Sequence, residues 1–246
     1  MNLWHTISSW LSPEALQWRG IRKLLIVLVL LFVGWHYGIK RPLYQHLYGK
    51  PDNRPMVLSA LDSIQDIPSQ PEQMARVGGL DIRLQLMKKI TTTARVVYVD
   101  RYSWLGTWYR SRPGAKLYDK VVPLDVSLTT GRTAQQPSCF EFTHEYRCLL
   151  GLGKCPFYDE REISNNHTIP ANARIQKGLD ILRAGDVAYI EGYLVYWQGT
   201  GRYAPYRFES AVQLGQVSPY LHGGQKSGLC RQLFLTKLTF DGYTFE

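Results

Sequence analysis

ISNNHTIPANARIQKGLDILRAGDVAYIEGYLVYW, from Ile163 to Trp197, holds the clearest local grammar in the chain: a loop, a short helix, a tight turn and a strand. Pro170 fixes its own φ and pushes the residue before it out of the α region, so the run up to Ile169 is extended or looped. Asn172 is a reasonable N-cap, and Ile175, Leu179 and Leu182 then recur at helical spacing, which predicts one apolar face packed on a sheet. Arg183 sits in the last turn, where a cation opposes the negative helix end, and Gly185 can supply a left-handed stop. From Val187 the period changes to two, and the β-branched and aromatic content through Trp197 reads as a strand.

The chain has 246 residues, 45% hydrophobic and 13% aromatic, which is ample for a core and excludes disorder. Its 16 Tyr and 7 Trp favour β structure, because aromatics pack well on pleated surfaces. The net charge of +9 is spread evenly, with 8 Lys+Arg against 5 Asp+Glu in the first 79 residues. Such a spread argues for solubility and against a nucleic-acid footprint.

Residues 1–23 are read as a cytoplasmic segment with an amphipathic opening around Trp4, Ile7, Leu11, Leu16 and Trp18, or as a loose tail. Leu24 to Ile39, LLIVLVLLFVGWHYGI, has no charged residue and is read as a retained single transmembrane helix. It falls slightly short of the about 20 residues of a comfortable span, with Arg22, Lys23, Lys40 and Arg41 able to snorkel at its ends. A cleaved signal peptide is the rival, but no small-x-small cleavage pattern follows the apolar run. Residues 40–79 are expected as a proline-punctuated linker with one short helix over Met56–Ile67, and 80–246 as an extracytoplasmic β domain. The fold expected is mainly β: a small, partly open barrel-like sheet with one or two covering helices behind the transmembrane helix.

Within that domain Leu80–Leu86 and Ala94–Ser103 read as strands, and Leu117–Gly131 as a crossing between sheet edges. Cys139–Leu150 reads as one strand with a buried face, and Asp186–Trp197 with Tyr203–Leu214 as a hairpin. Cys139, Cys148, Cys155 and Cys230 all follow the anchor, an even set that suits two disulfides outside the cytoplasm. Cys148–Cys155 is the close pair, leaving Cys139–Cys230, although three connectivities are open; free buried thiols in a cytoplasmic protein are the alternative. With no C-x-x-C pair there is no zinc cage, and no cofactor or metal is expected.

Two places could carry function. Trp104, Trp108, Tyr109, Arg110 and Arg112 form an aromatic and cationic cluster, either a stacking platform for a nucleic acid, glycan or lipid head group, or a cover for the barrel end. His167, with Asn165, Asn166 and His144, could make a general base, yet no Gly-x-Ser-x-Gly elbow accompanies it. A histidine beside asparagines more often ties down its own loop. Asn165, His167, Pro170, Gly185 and Asp186 are therefore read as a structural hub.

The phrases LYDKVVPLDVSL (117–128), ISNNHTIPAN (163–172), RAGDVAYIEGYLVYW (183–197), YRFESAV (206–212) and GLCRQLFLTKL (228–238) resemble a family of uncharacterised bacterial membrane-anchored envelope proteins. That family carries an Asn-x-His-x-Ile-Pro-Ala phrase, a Gly-Asp turn and a Gly-Tyr-Leu-Val strand. The matching positions are Asn165, His167, Ile169, Pro170, Ala171, Gly185, Asp186, Gly192, Tyr193, Leu194, Val195 and Cys230, within about residues 94–240. The resemblance implies an envelope-associated β domain with no known activity. The expectation is a non-enzymatic module of the inner membrane, with its C-terminal domain periplasmic and its partners the membrane and other envelope proteins. A hydrolase or modifying enzyme centred on His167 and His144 is the alternative, and an oligonucleotide-binding barrel the weaker one.

Overall fold

A computed structural model of the chain describes residues 13–102, 113–145, 148–153, 159–210, 212–213 and 230–246. The chain divides into two compact units, Met1–Leu47 and Tyr48–Glu246.

The first unit is helical: α1 spans Pro13–Val33, a π-helical turn covers Gly34–Ile39, and α2 spans Lys40–Tyr48. From Leu24 to Val33 every apolar side chain is exposed. The expected single transmembrane helix is not confirmed, since among the described residues no single helix is long and apolar enough to cross a membrane. The physical reason lies at the glycine-flanked turn, where Ile21–His36 and Lys40–Tyr48 meet with a 43° bend. At about 1.5 Å per residue the apolar run reaches about 24 Å, against a hydrocarbon core of about 30 Å. Among the described residues, only the bent pair together meets the length and composition of a span.

In the second unit β1 (Lys50–Pro51), β2 (Ser63–Asp66) and β3 (Glu72–Val77) precede β4 (Leu80–Arg101), a strand of 22 residues. Then come α3 (Pro113–Val121), β5 (Leu124–Thr129), α4 (Gly131–Gln135), β6 (Phe140–Glu145) and β7 (Cys148–Gly153). β8 (Ile163–Pro170), α5 (Ala173–Leu179), β9 (Val187–Gly199), β10 (Arg207–Glu209), β11 (Cys230–Phe240) and β12 (Tyr243–Phe245) complete it. The fold is mainly β, as expected. Ten strands share one sheet, ordered β1-β12-β11-β8-β5-β4-β9-β10 with β2 and β3 on β4. An additional β11–β9 pairing joins β4, β5, β8, β11 and β9 into a ring. Within the ring β8 and β11 run parallel, and the other pairs are antiparallel.

A bulge between Leu86 and Lys88 lets β4 serve two cores. Two residues of one strand opposing one of the other reverse which face the following side chains occupy. Ile82, Leu84 and Leu86 pack with Leu117, Tyr118 and Val121 of α3 and with Trp197. Past the bulge Ile90, Ala94 and Val96 are buried on the opposite face. Gly192 fits where β9 meets β11, because a Cβ there would lie 2.4 Å from the Phe234 carbonyl oxygen.

Several expectations are corrected. Of the extended and looped alternatives for Ile163–Pro170 the extended one holds, a strand with all eight residues buried, in which Asn165 and Asn166 bond to β5. Residues 48–79 are not a free linker, and Met56–Ile67 forms no helix: Ile64 pairs with Ile90, Met74 with Arg83, and Lys50 with Thr244. Leu117–Gly131 is not a crossing, because it contains most of α3 and the fully buried β5. The 139–150 stretch is the β6–β7 hairpin, a separate two-stranded sheet. The α5 helix does start at Asn172, whose side chain accepts from the Arg174 and Ile175 N–H groups. Ile175, Leu179 and Leu182 are buried as predicted. Arg101 donates to the Leu179 carbonyl that ends the helix, at 3.3 Å, and to the Leu182 carbonyl beyond it, at 2.5 Å.

The chain before β2 is strapped to the sheet. The Asp52 N–H donates to the Gly242 carbonyl, Ser59 exchanges bonds with Thr93, and Asp62 makes a buried ion pair with Arg231. A fragment starting at Leu80 should therefore lack a cooperative melt, whereas one starting at Tyr48 should keep it; equal melts by circular dichroism would contradict this.

Charge fixes the same edge. Arg54 and the Thr244 hydroxyl hold the Asp52 carboxyl far below the ordinary carboxylate range, and Lys50 and Lys237 draw Glu246 down to about 2. Groups depressed on folding stabilise fully above their ordinary values, and that contribution disappears as pH falls through the folded ones. Protection factors of the Tyr243–Phe245 amides, corrected for the intrinsic pH dependence of exchange, should fall between about pH 4.5 and pH 2, and Lys50→Ala with Lys237→Ala should move the onset to higher pH.

Candidate functional site

The register of three ring strands builds one polar row after another. Asp125 stands opposite His167, and His167 opposite Gln232; Ser127 stands opposite Asn165, and Asn165 opposite Cys230. Directly opposed residues share a face. All are buried, Asp125 and Asn165 completely.

In the first row His167 Nδ1 lies 2.8 Å from Asp125 Oδ1, and the Tyr102 hydroxyl donates to Asp125 Oδ2 at 2.7 Å. Among the described residues Nδ1 nevertheless makes no hydrogen bond, so the two groups are in ion-pair range but out of line for N–H donation. Tyr118 meets the His167 ring edge-on at 5.8 Å. Its hydroxyl and the Gln232 amide bond each other, with Gln232 Nε2 donating at 2.9 Å, while Trp197 Nε1 donates to Gln232 Oε1 at 3.1 Å. The Gln232 N–H donates to Ser210 Oγ at 3.0 Å. In the second row Ser127 donates to Asn165 Oδ1 at 3.0 Å, and the Asn165 amide approaches Cys230 Sγ at 3.8 Å. Asn166 faces the other way and donates to the Val126 carbonyl and to Ser164 Oγ, both at 3.1 Å.

This arrangement ties two long connections to one face. Tyr102 begins the connection from β4 to β5, and Ser210 lies in the connection from β9 to β11; both end on the Asp125–His167–Gln232 row. Chemically, a carboxylate beside an imidazole can orient it as a base. Here the hydrogen bonds run among the protein's own groups.

Of the residues singled out in the sequence, Asn165 and His167 come together in these rows. Pro170 ends β8, opposite Leu235. Gly185 has φ +95°, and the Asp186 carboxylate accepts from the Arg183 N–H at 2.8 Å, closing the turn into β9. His144 lies on β6 opposite Leu149, in the separate hairpin. Trp104, Trp108, Tyr109, Arg110, Arg112 and Cys155 fall outside the described residues, as do the side chains of Cys139, His144 and Cys148. Cys230 is a buried thiol, and no disulfide is seen among the described residues, so the Cys139–Cys230 pairing is not formed. Nor do the described residues contain a group of three His, Cys, Asp or Glu side chains placed to hold a metal.

Asp125, Tyr102, Tyr118 and Gln232 escaped sequence reading. The available signal was a lone Asp inside LDVSLT, where a buried charge demands partners. Comparison with family models, with curated proteins and with solved structures returns no match for this chain.

Removing one partner of a buried set leaves the others unsatisfied, at about 1–3 kcal/mol. Gln232→Leu, which strands Tyr118 and Trp197, should cost about 2 kcal/mol, and Tyr118→Phe about 1 kcal/mol, read from urea midpoints at constant slope. Neutral midpoints would mean that the row contributes nothing to stability.

Proposed function

We propose that the chain is a membrane-anchored β module that works by binding proteins, not by catalysis, in an envelope or secretion-type assembly. The observation that carries this reading is the contrast between the two units. In one, apolar side chains from Leu24 to Val33 are exposed on every side of a helix, which is unfavourable in water and favourable in lipid. In the other, Asp125 and Gln232, which flank His167 on the neighbouring strands, bind Tyr102 and Ser210 at the roots of two connections. The resemblance to envelope proteins points the same way. In this reading the helical unit crosses or inserts into the inner membrane, and the β unit stands on its periplasmic side.

A second reading is favoured by connectivity. Taken in chain order, the ring strands β4, β5, β8, β9 and β11 pair as first–second–third–fifth–fourth and back to the first, with α5 between third and fourth. That is the Greek-key connectivity of small oligonucleotide- and oligosaccharide-binding barrels, whose first-to-second and fourth-to-fifth connections contact the ligand. Trp104, Trp108, Tyr109, Arg110 and Arg112 belong to the first of those connections in sequence.

Purification of the full chain from detergent-solubilised membranes tests both. The expected result is extraction only with detergent and recovery with protein partners, retained by a folded His167→Ala variant. Recovery alone, with single-stranded oligonucleotide binding that weakens steeply with salt, would favour the second reading. Release by alkaline buffer without detergent would remove the membrane reading.

A further inference from the structure

We infer that the outer face of the sheet extension β3-β4-β9-β10 is a two-fold docking surface for a second copy of this chain. Its inner face is committed: Ile82, Leu84, Val195 and Trp197 point into the core with α3. The alternate residues point outward and form cross-strand rows. One row runs Met74, Arg83, Gln198, Arg207, and the next runs Glu72, Gln85, Tyr196, Glu209.

Their charges are unspent. Glu72, Arg83 and Arg207 are exposed and Glu209 half-buried, and among the described residues none of the four makes an ion pair. Met74, 59% exposed, adds an apolar contact, and Arg, Tyr and Met are the residue types enriched at interfaces. A cationic row beside an anionic row, about 7 Å away along the strands, fits neither a polyanion nor a uniformly acidic partner. It fits itself. A two-fold axis running along the rows and midway between them turns the face onto its own copy, cationic row over anionic row. Arg207 of each copy then meets Glu209 of the other, while Arg83 lies over Gln85 with Glu72 one strand away. An isologous contact of this kind closes at two copies. The patch is small and charged, so the association should be weak and salt-sensitive, and strengthened where copies are concentrated. It does not depend on the membrane reading.

The test uses the full chain in detergent micelles, with association read by sedimentation and cross-linking. Arg83→Glu with Arg207→Glu, and separately Glu72→Arg with Glu209→Arg, should each reduce the dimer at least tenfold while far-UV circular dichroism is unchanged. An equimolar mixture of the two variants should restore pairing as a heterodimer, identified by different tags. The milder pair Arg207→Gln and Glu209→Gln should weaken association less, and serves if a reversal unfolds the chain. A wild-type chain that stays monomeric, a dimer that survives both reversals as one held by the apolar helix would, or variants that fail to pair with each other would each overturn the proposal.

Discussion

A strand that buries Ser164, Asn165, Asn166, His167 and Thr168 is stable only if most of their polar atoms are paired. That requirement shapes the β unit. It demands polar neighbours on both sides, which β5 supplies through Asp125 and Ser127, and β11 through Cys230 and Gln232. Those neighbours in turn need Tyr102, Tyr118, Trp197 and Ser210, so one buried strand fixes the approach of α3, β9 and both long connections. A purely apolar β8 would pack as well but would not specify which segments cross it. Hydrogen bonds make that choice, because a misplaced segment leaves donors and acceptors unanswered in a medium of low dielectric.

The parts of this structure legible in the sequence are those written in local chemistry. Asn172 caps, Gly185 turns, and the alternation from Val187 to Trp197 is a strand, because each depends on residues within a few positions. What misled was composition. Asn, His and Pro at 165–170 have the character of a loop, and Met56, Val57, Leu61 and Ile64 have helical spacing. Tertiary partners override both, since Asn side chains can be buried when Ser127 and Val126 O lie opposite, and Ser63–Asp66 gains a ladder on β4 that no isolated helix could match. The charged partner of His167 was invisible for another reason: Asp125 is 42 residues away, and only the β5–β8 register brings it near.

Tyr102, Asp125 and His167 have the residue types of a catalytic relay, with Tyr102 bonded to Asp125 and His167 Nδ1 2.8 Å from its other oxygen. On the far side of His167, Gln232 bonds Tyr118 and Trp197, and in the second row the Asn165 amide approaches the Cys230 sulfur.

The parallel pairing of β8 with β11 also sets an order of assembly. Cys230 meets Asn165 across 65 residues, and Arg231 meets Asp62 across 169. Contacts so distant in sequence form slowly, because a long loop must close before any of them stabilises the chain. During synthesis the β4–β5 and β4–β9 pairs can form first, but the apolar flanks of β8 and β9 stay open until β11 emerges. For that interval the nascent chain has exposed strand edges, and it depends on the late-emerging β11 to bury them.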